Sequence, residues 1–388
     1  MTHECRSVTS GDPIGDVRHL YVHLPFCAHR CGYCDFVTAV GRTEQHRVYV
    51  DALLTELERD TNVLADPLAT AFVGGGTPTF TDPEALRRLL AALPAATEVT
   101  VEANPETVTS GLATLLRESG VTRISLGAQT FAPRLLEVLE RVAGPDDVRR
   151  AVHTLRDASF DNISLDLIYG IPGQEPSDLD DDLAEALALA PEHLSLYELE
   201  AKPGTRFTHA WGSELARQSE AMEGYFERVV ETLTASGYRW YETANFCLSG
   251  DEACGRDLRA HHNLGYWQGH DYLGVGIGAV STLGGLRRRN GASIARYIAA
   301  LATGGEPPRE LEQLDALTKV QERVMLGLRL DEPLPLGEVE PVIDDAALER
   351  MVQGGLAIVG SGPGGEETLA LTARGRFLGG GVTAELLV

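Results

Sequence analysis

Six short apolar segments rich in β-branched residues recur along the first half of the chain, each followed by a stretch with helical periodicity. No other feature restricts the fold as strongly. The strand-like segments are RHLYVHL (18–24), ATAFVGG (69–75), TEVTVEA (97–103), TRISLGA (122–128), NISLDLIYG (162–170) and HLSLYEL (193–199). Helix-like stretches fall at 44–64, 82–93, 109–119, 131–158 in one or two pieces, and 176–190, with Asp82 before Pro83 as a cap. Strands alternating with helices pair in parallel through right-handed crossovers, which gives a doubly wound sheet or an incomplete barrel. Polar residues separate the two. A cysteine-rich loop follows the first strand, GGGTPT (74–79) follows the second, Glu102 ends the third, and Gln129 follows the fourth. Asp166 sits in the fifth, and Tyr197 to Glu200 close the sixth. A barrel gathers these ends around one mouth, whereas an open sheet spreads them along a line. The expected fold is α/β, a partial (β/α)6 barrel over residues 18–202 preceded by a tail of residues 1–17.

The pattern changes after residue 203. Residues 203–308 read as an α+β extension, with an amphipathic helix near 215–236 stopped by Gly237 and a stretch rich in Gly, His and aromatics at 243–286. Residues 309–388 read as a winged-helix-like unit of two helices (315–330 and 343–354), the turn DEPLPLG and a hairpin-like end. Residues 306–388 hold seven Lys or Arg against fifteen Asp or Glu, and the whole chain carries a net charge of −24. Nucleic acid is therefore excluded as a partner, because backbone binding depends on cations that displace counterions. No window reaches the roughly 20 uninterrupted apolar residues of a spanning helix. The opening residues are mixed and polar, so a cytoplasmic protein is expected, with membrane association at most transient.

Three of the six cysteines fall within eight residues, in Cys27-Ala-His-Arg-Cys31-Gly-Tyr-Cys34, on the loop that leaves the first strand. Three thiolates on one short loop can ligate three irons of a cubane [4Fe-4S] cluster and leave the fourth open to chelate a substrate. The competing reading is zinc, with two or three of these thiolates joined by His29, Cys247 or Cys254; no second knuckle supports it. Cys5, Cys247 and Cys254 read as unliganded thiols. GGGTPT lets backbone approach a ligand closely and present amide or carbonyl groups, but lacks the ending of a phosphate loop. Gly274-Val-Gly276-Ile-Gly278 reads as a tight turn.

With these residues assembled, the chain resembles the radical S-adenosylmethionine (SAM) proteins related to oxygen-independent coproporphyrinogen III oxidase, and within them the haem chaperone branch. The resemblance rests on YVHLPFC with the two further cysteines, GGGTPT, VEANPE (101–106), SLGAQTF (125–131), DLIYGIPGQ (166–174), LYELEAKPGT (196–205), HNLGYW (262–267), GIGAVS (276–281) and LTARG (371–375). It implies that Cys27, Cys31 and Cys34 hold the cluster. It also implies SAM contacts from Tyr21, Tyr33, Gly75, Gly76, Thr77, Glu102, Gln129, Arg141 and Asp166, with Tyr33 packing on the adenine. Around Arg141 the family pattern is GRxH, whereas Glu140 and Ala143 stand here in place of Gly and His. The oxidases carry a fourth cysteine in CxxxCxxCxC where this chain has Phe36, which turns the expectation toward the chaperone branch. HNxxYW is associated there with haem binding, so the resemblance makes His262 the haem ligand, with His261 and His270 as alternatives and Tyr266 and Trp267 offering apolar faces. The implied function is haem binding and transfer to an acceptor apoprotein, with an electron donor for the cluster. The alternative is radical oxidative decarboxylation of coproporphyrinogen III. Arg287-Arg288-Arg289 could meet haem propionates, but a basic turn on an acidic surface is usually solvated.

Overall fold

The computed structural model describes residues 17–200, 202, 206–218 and 221–388. Most of the amino-terminal tail, with Cys5, lies outside the described residues, as do residues 201 and 203–205 at the boundary expected after the barrel. β1 (His19–Leu24) runs into the short β2 (Phe26–Cys27), which pairs in parallel with β3 (Ala39–Val40) and ties off the cysteine loop. Then follow α1 (His46–Asp60), β4 (Leu68–Gly75), α2 (Pro83–Ala92), β5 (Ala96–Ala103), α3 (Ser110–Glu118) and β6 (Arg123–Gln129). The series continues with α4 (Pro133–Val138), α5 (Pro145–Asp157), β7 (Ile163–Tyr169), α6 (Pro176–Ala188) and β8 (His193–Glu198). The six long strands lie side by side in chain order, β1-β4-β5-β6-β7-β8, all parallel. A doubly wound sheet would reverse its winding about the first strand; this monotonic order is that of a barrel.

Side chains along each strand face opposite ways. Val101, Ile124, Leu126, Leu165, Leu194 and Leu196 point outward beneath the helices and are at most 1% exposed. Each such aliphatic residue contributes about 1.5–3 kcal/mol on burial. The inward residues are polar, and register aligns them: Glu102 beside Ser125, Ser125 beside Ser164, Gly127 beside Asp166, and Asp166 beside Ser195. The apolar core thus lies between sheet and helices, and the barrel interior is left for chemistry.

The single helix expected near 215–236 is two, α7 (Arg206–Gln218) and α8 (Met222–Ala235). They bury different faces. Phe207, Trp211 and Leu215 of α7 pack with Leu135, Leu139 and Ile171, whereas Tyr225, Val229 and Leu233 of α8 join the main core. β9 (Tyr238–Glu242) and β10 (Asn245–Leu248) form an antiparallel ribbon on β8; α9 (His261–Trp267) follows. On the other edge, β11 (Tyr272–Val275) lies parallel to β1, and β12 (Val280–Leu283), β13 (Leu286–Asn290), α10 (Ile294–Ala302) and β14 (Arg309–Gln313) continue from it. Because β14 pairs with β13, the strand at 309–313 belongs to the large sheet; the smaller carboxyl-terminal layer starts beyond it. That layer comprises α11 (Ala316–Gly327), β15 (Leu334–Pro335), α12 (Asp345–Gln353), β16 (Ala357–Ser361), β17 (Glu367–Leu371), α13 (Ala373–Phe377) and α14 (Gly379–Leu386), around its own core of Val324, Leu328, Val339, Leu369 and Leu386. No helix among the described residues is long and apolar enough to cross a membrane.

Candidate functional site

The barrel mouth opens into a cavity of about 1050 Å³ lined by Cys27, Cys31 and Cys34 together with Tyr33, Gly75, Gly76, Thr77, Glu102, Gln129, Arg141 and Asp166. Cys27 is fixed by strand pairing, since Gly41 donates its N–H to the Cys27 carbonyl at 2.8 Å and Ala39 to that of Pro25 at 2.7 Å. Two hydrogen-bond donors reach the sulfurs. Thr77 Oγ1 lies 3.6 Å from Cys27 Sγ, and Arg141 Nη1 lies 3.5 Å from Cys31 Sγ. Asn104 joins them, donating to Thr77 Oγ1 at 3.2 Å and accepting from both Arg141 terminal nitrogens at 3.3–3.4 Å. Burial pushes the Cys27 thiol up to about 11 and that of Cys34 upward, so deprotonation there calls for a cation on the sulfur. Cys247 is buried among Tyr241, Leu258 and Leu264, and Cys254 is exposed; neither lines the cavity. Among the described residues no three His, Cys, Asp or Glu side chains converge on one ion position.

The glycine run is required by close packing against the cysteine loop. A Cβ on Gly75, whose φ is +116°, would stand 2.5 Å from the His23 ring, and one on Gly76 2.6 Å from the Pro25 carbonyl. The same packing occupies the amides: Gly76 N–H donates to Leu24 O, Thr77 N–H to Phe26 O and Gly75 N–H to Glu102 Oε2, at 2.8–2.9 Å. The carbonyls are therefore what this loop offers a ligand. Burial pushes the Glu102 carboxyl up to about 7 despite the Gly75 N–H, and nearby Asp166 adds to the rise. Burial likewise raises Asp166, which accepts from Ser125 Oγ at 2.8 Å and Ser164 Oγ at 3.4 Å.

Arg141 faces the site and is not a solvated helix residue: it donates to the Gly127 carbonyl at 2.8 Å as well as to Asn104 and Cys31. Glu140 before it adopts φ 55°, the left-handed conformation that a glycine would supply without strain. Gln129 also has a positive φ, 68°, where the β6–β7 register shifts. Strain of this kind collects at binding sites.

Two expected contacts lie outside the main cavity. Tyr21 does not line the main cavity. Its hydroxyl is bonded to His23 Nδ1 at 3.0 Å, its ring stacks on Phe72, and it faces an adjoining groove of about 400 Å³ that shares Gly75 and Glu102 as a wall. His262 does not present a free ring nitrogen. It is 1% exposed, with Nδ1 2.8 Å from Thr70 Oγ1 and Nε2 2.9 Å from the Tyr266 hydroxyl, and its ring stacks on Phe72. Burial, with a smaller push from His19, holds its pKa down to about 3, so the imidazole is neutral. From the same helix Asn263 reaches the main cavity and Tyr266 the groove. His270 is exposed and stacks on His19, and Arg287 is paired with Glu322.

Sequence reasoning missed Asn104, the serines Ser125, Ser164 and Ser195, and a wall built by the carboxyl-terminal segment from Arg376 to Leu387. The serines had a signal: ISL, ISL and LSL recur at 124–126, 163–165 and 194–196 in three successive strands.

A partial barrel with three cysteines on its first loop defines a radical SAM protein, and the Radical SAM superfamily model matches residues 21–186. The haem chaperone HemW of Mycobacterium tuberculosis (strain ATCC 25618 / H37Rv) is 35% identical over 97% of this chain and 95% of its own length. That of Bacillus subtilis (strain 168) is 36% identical over 81% and 83%. The solved radical SAM coproporphyrinogen III oxidase HemN of Escherichia coli superimposes with a TM-score of 0.78, covering 96% of this chain and 90% of its own at 22% identity, which bears on fold. The chain belongs to the HemW family of radical SAM proteins. Membership implies a [4Fe-4S] cluster and SAM, and the soft thiol set, its two donors and the size of the cavity fit both.

Proposed function

We propose that this protein is a haem chaperone: it binds haem and hands it to an acceptor apoprotein in the cytoplasm, drawing an electron from a reduced donor. The near-complete match to haem chaperones carries this reading. Cys27, Cys31 and Cys34 would hold the cluster, with Tyr33, Gly75, Gly76, Thr77, Glu102, Gln129, Arg141 and Asp166 around SAM. When bound, the pair supplies one-electron reduction of a sulfonium, which gives a carbon radical. The chain's own residues do the positioning. Arg141 and Thr77 offset negative charge on the sulfurs, the loop carbonyls accept from an ammonium group, and Glu102 and Asp166 offer buried acceptors deeper in the barrel. Phe36, 63% exposed, stands where the oxidases have a further thiol. We assign residues 18–202 to the barrel and residues 203–388 to an extension and a winged-helix-like unit; the latter's separate core supports the division.

Anaerobic reconstitution tests the cluster: iron and sulfide should approach equal amounts, and Cys31→Ala should abolish both. Zinc without sulfide would refute it. Haem titration should give a Soret shift, and the loaded protein should transfer haem to an apoprotein. Turnover of coproporphyrinogen III to protoporphyrinogen would place the chain with the oxidases instead.

A further inference from the structure

The segment that follows the LTARG motif borders the barrel cavity. Arg376, Phe377, Gly379, Gly380 and Thr383 line the barrel cavity together with the cysteine loop. Arg376 lies with its guanidinium carbon 3.6 Å from the centroid of the Trp240 ring and donates Nη1 to the Trp240 carbonyl at 2.8 Å. Its Nε and Nη2 are buried and have no hydrogen-bond partner among the described residues. The carboxylates around it are engaged elsewhere, Glu242 by Arg329 and Asp331 by Arg239. A buried cation with two idle donors costs free energy that an incoming acceptor recovers.

Three residues on, α14 begins with Gly379-Gly380-Gly381. The first-turn amides of a helix have no partner within it and favour negative charge. Gly379 and Gly380 of this turn line the cavity, and a Cβ on Gly380 would meet nothing within 4 Å, so a ligand can approach the backbone there. Beside them the wall is apolar, formed by Phe226, Met325, Leu328 and Phe377. At about 1050 Å³ the cavity exceeds the roughly 300–1,000 Å³ typical of one small ligand. Such a flank suits a flat apolar molecule with a carboxylate.

We propose that Arg376 and the first turn of α14 form a carboxylate site that anchors a propionate of the haem cargo at the open flank of the barrel. This rests on the haem chaperone reading. Gly375 sets the geometry, because a Cβ there would fall 1.8 Å from the Leu356 carbonyl, which locks α13 onto the strand layer.

The full chain is titrated spectrophotometrically with haem and with haem dimethyl ester, whose propionates carry no charge, in the wild type, Arg376→Gln and Arg376→Lys. Gln retains a donor for the Trp240 carbonyl, and matched thermal melts check folding. The wild type should prefer haem over the ester by about tenfold or more, as a charge-assisted hydrogen bond is worth. Arg376→Gln should lose about tenfold for haem and nothing for the ester, with Lys recovering part. Equal wild-type affinity for haem and ester overturns the inference and leaves the haem reading intact. So does an equal loss for both ligands in Arg376→Gln, which marks a structural role, or loss of SAM binding with haem retained. A wild type that binds neither porphyrin refutes the haem reading itself.

Discussion

Glu102 makes the barrel interior sensitive to pH. Its carboxyl is lifted from the ordinary 4.5 to about 7, chiefly by burial, so the folded state holds a proton that the unfolded chain releases. Its contribution to stability is complete below pH 4.5 and is lost as pH rises through 7, since the unfolded state binds fewer protons across that window. The two and a half pH units correspond to at most about 3 kcal/mol. Glu102→Gln in the cofactor-free protein should remove this decline, so that urea midpoints change less between pH 5 and 8 than in the wild type; an unchanged slope would refute the assignment. His262 makes a second test. Its loss would leave a cavity and the Tyr266 hydroxyl without this partner, with Thr70 keeping only His19, costing about 2–4 kcal/mol. His262→Ala should therefore lower the urea midpoint while leaving the Soret position of bound haem unmoved; the reverse result would restore it as the iron ligand. The thiols and the glycine run were legible because residue type and spacing alone define them. The state of His262 was not, since burial and both partners come from β4 and from its own helix turn.

At the level of elements, the six parallel strands could be read because a strand covered by helices on its outer face must be apolar at every second position. β13 and β14 could not. LRRRN and RELEQ are charged strands at one end of the large sheet, β14 its edge and β13 between β14 and β12, held by backbone pairing, so no apolar alternation announces them. The split between α7 and α8 escaped for a related reason: two apolar stripes in sequence read as one period when the surfaces they cover are unknown. Helix ends give a direct test. Ala190 follows α6 with φ 49° and offers its carbonyl to Arg156 Nη2 at 2.8 Å. Glycine takes this conformation without strain and keeps the carbonyl. Ala190→Gly should raise unfolding free energy by about 0.5–1 kcal/mol in chemical denaturation. A fall would show that unfolded-chain entropy outweighs the relieved strain.

At the scale of the whole molecule, the carboxyl-terminal layer flanks the barrel cavity, and one buried carboxylate joins the two. Glu242 of β9 has no exposed surface; it accepts from the Ala244 amide at 3.0 Å and from Arg329 Nε at 2.8 Å and Nη2 at 2.6 Å. Arg329 in turn stands 4.3 Å over the Trp267 ring at the end of the HNLGYW helix. The strand ribbon, that helix and the carboxyl-terminal layer therefore meet at one ion pair. Sequence could place each of these parts but not their junction, because Glu242, Trp267 and Arg329 are separated by tens of residues and each is unremarkable in its own segment. Removing Glu242 leaves Arg329, whose side chain is 36% exposed, partly screened by water, so the loss falls below the roughly 3–5 kcal/mol of a fully buried pair. Glu242→Ala should raise hydrogen–deuterium exchange in β9, β10, α9 and residues 316–388 and leave β4 to β7 at wild-type protection. The cavity would then lose its wall at Arg376 while its cysteine mouth stays formed, so bound haem should dissociate faster while reconstituted iron content holds. Uniform loss of protection across the barrel would mean that the carboxyl-terminal layer and the barrel unfold as one cooperative unit.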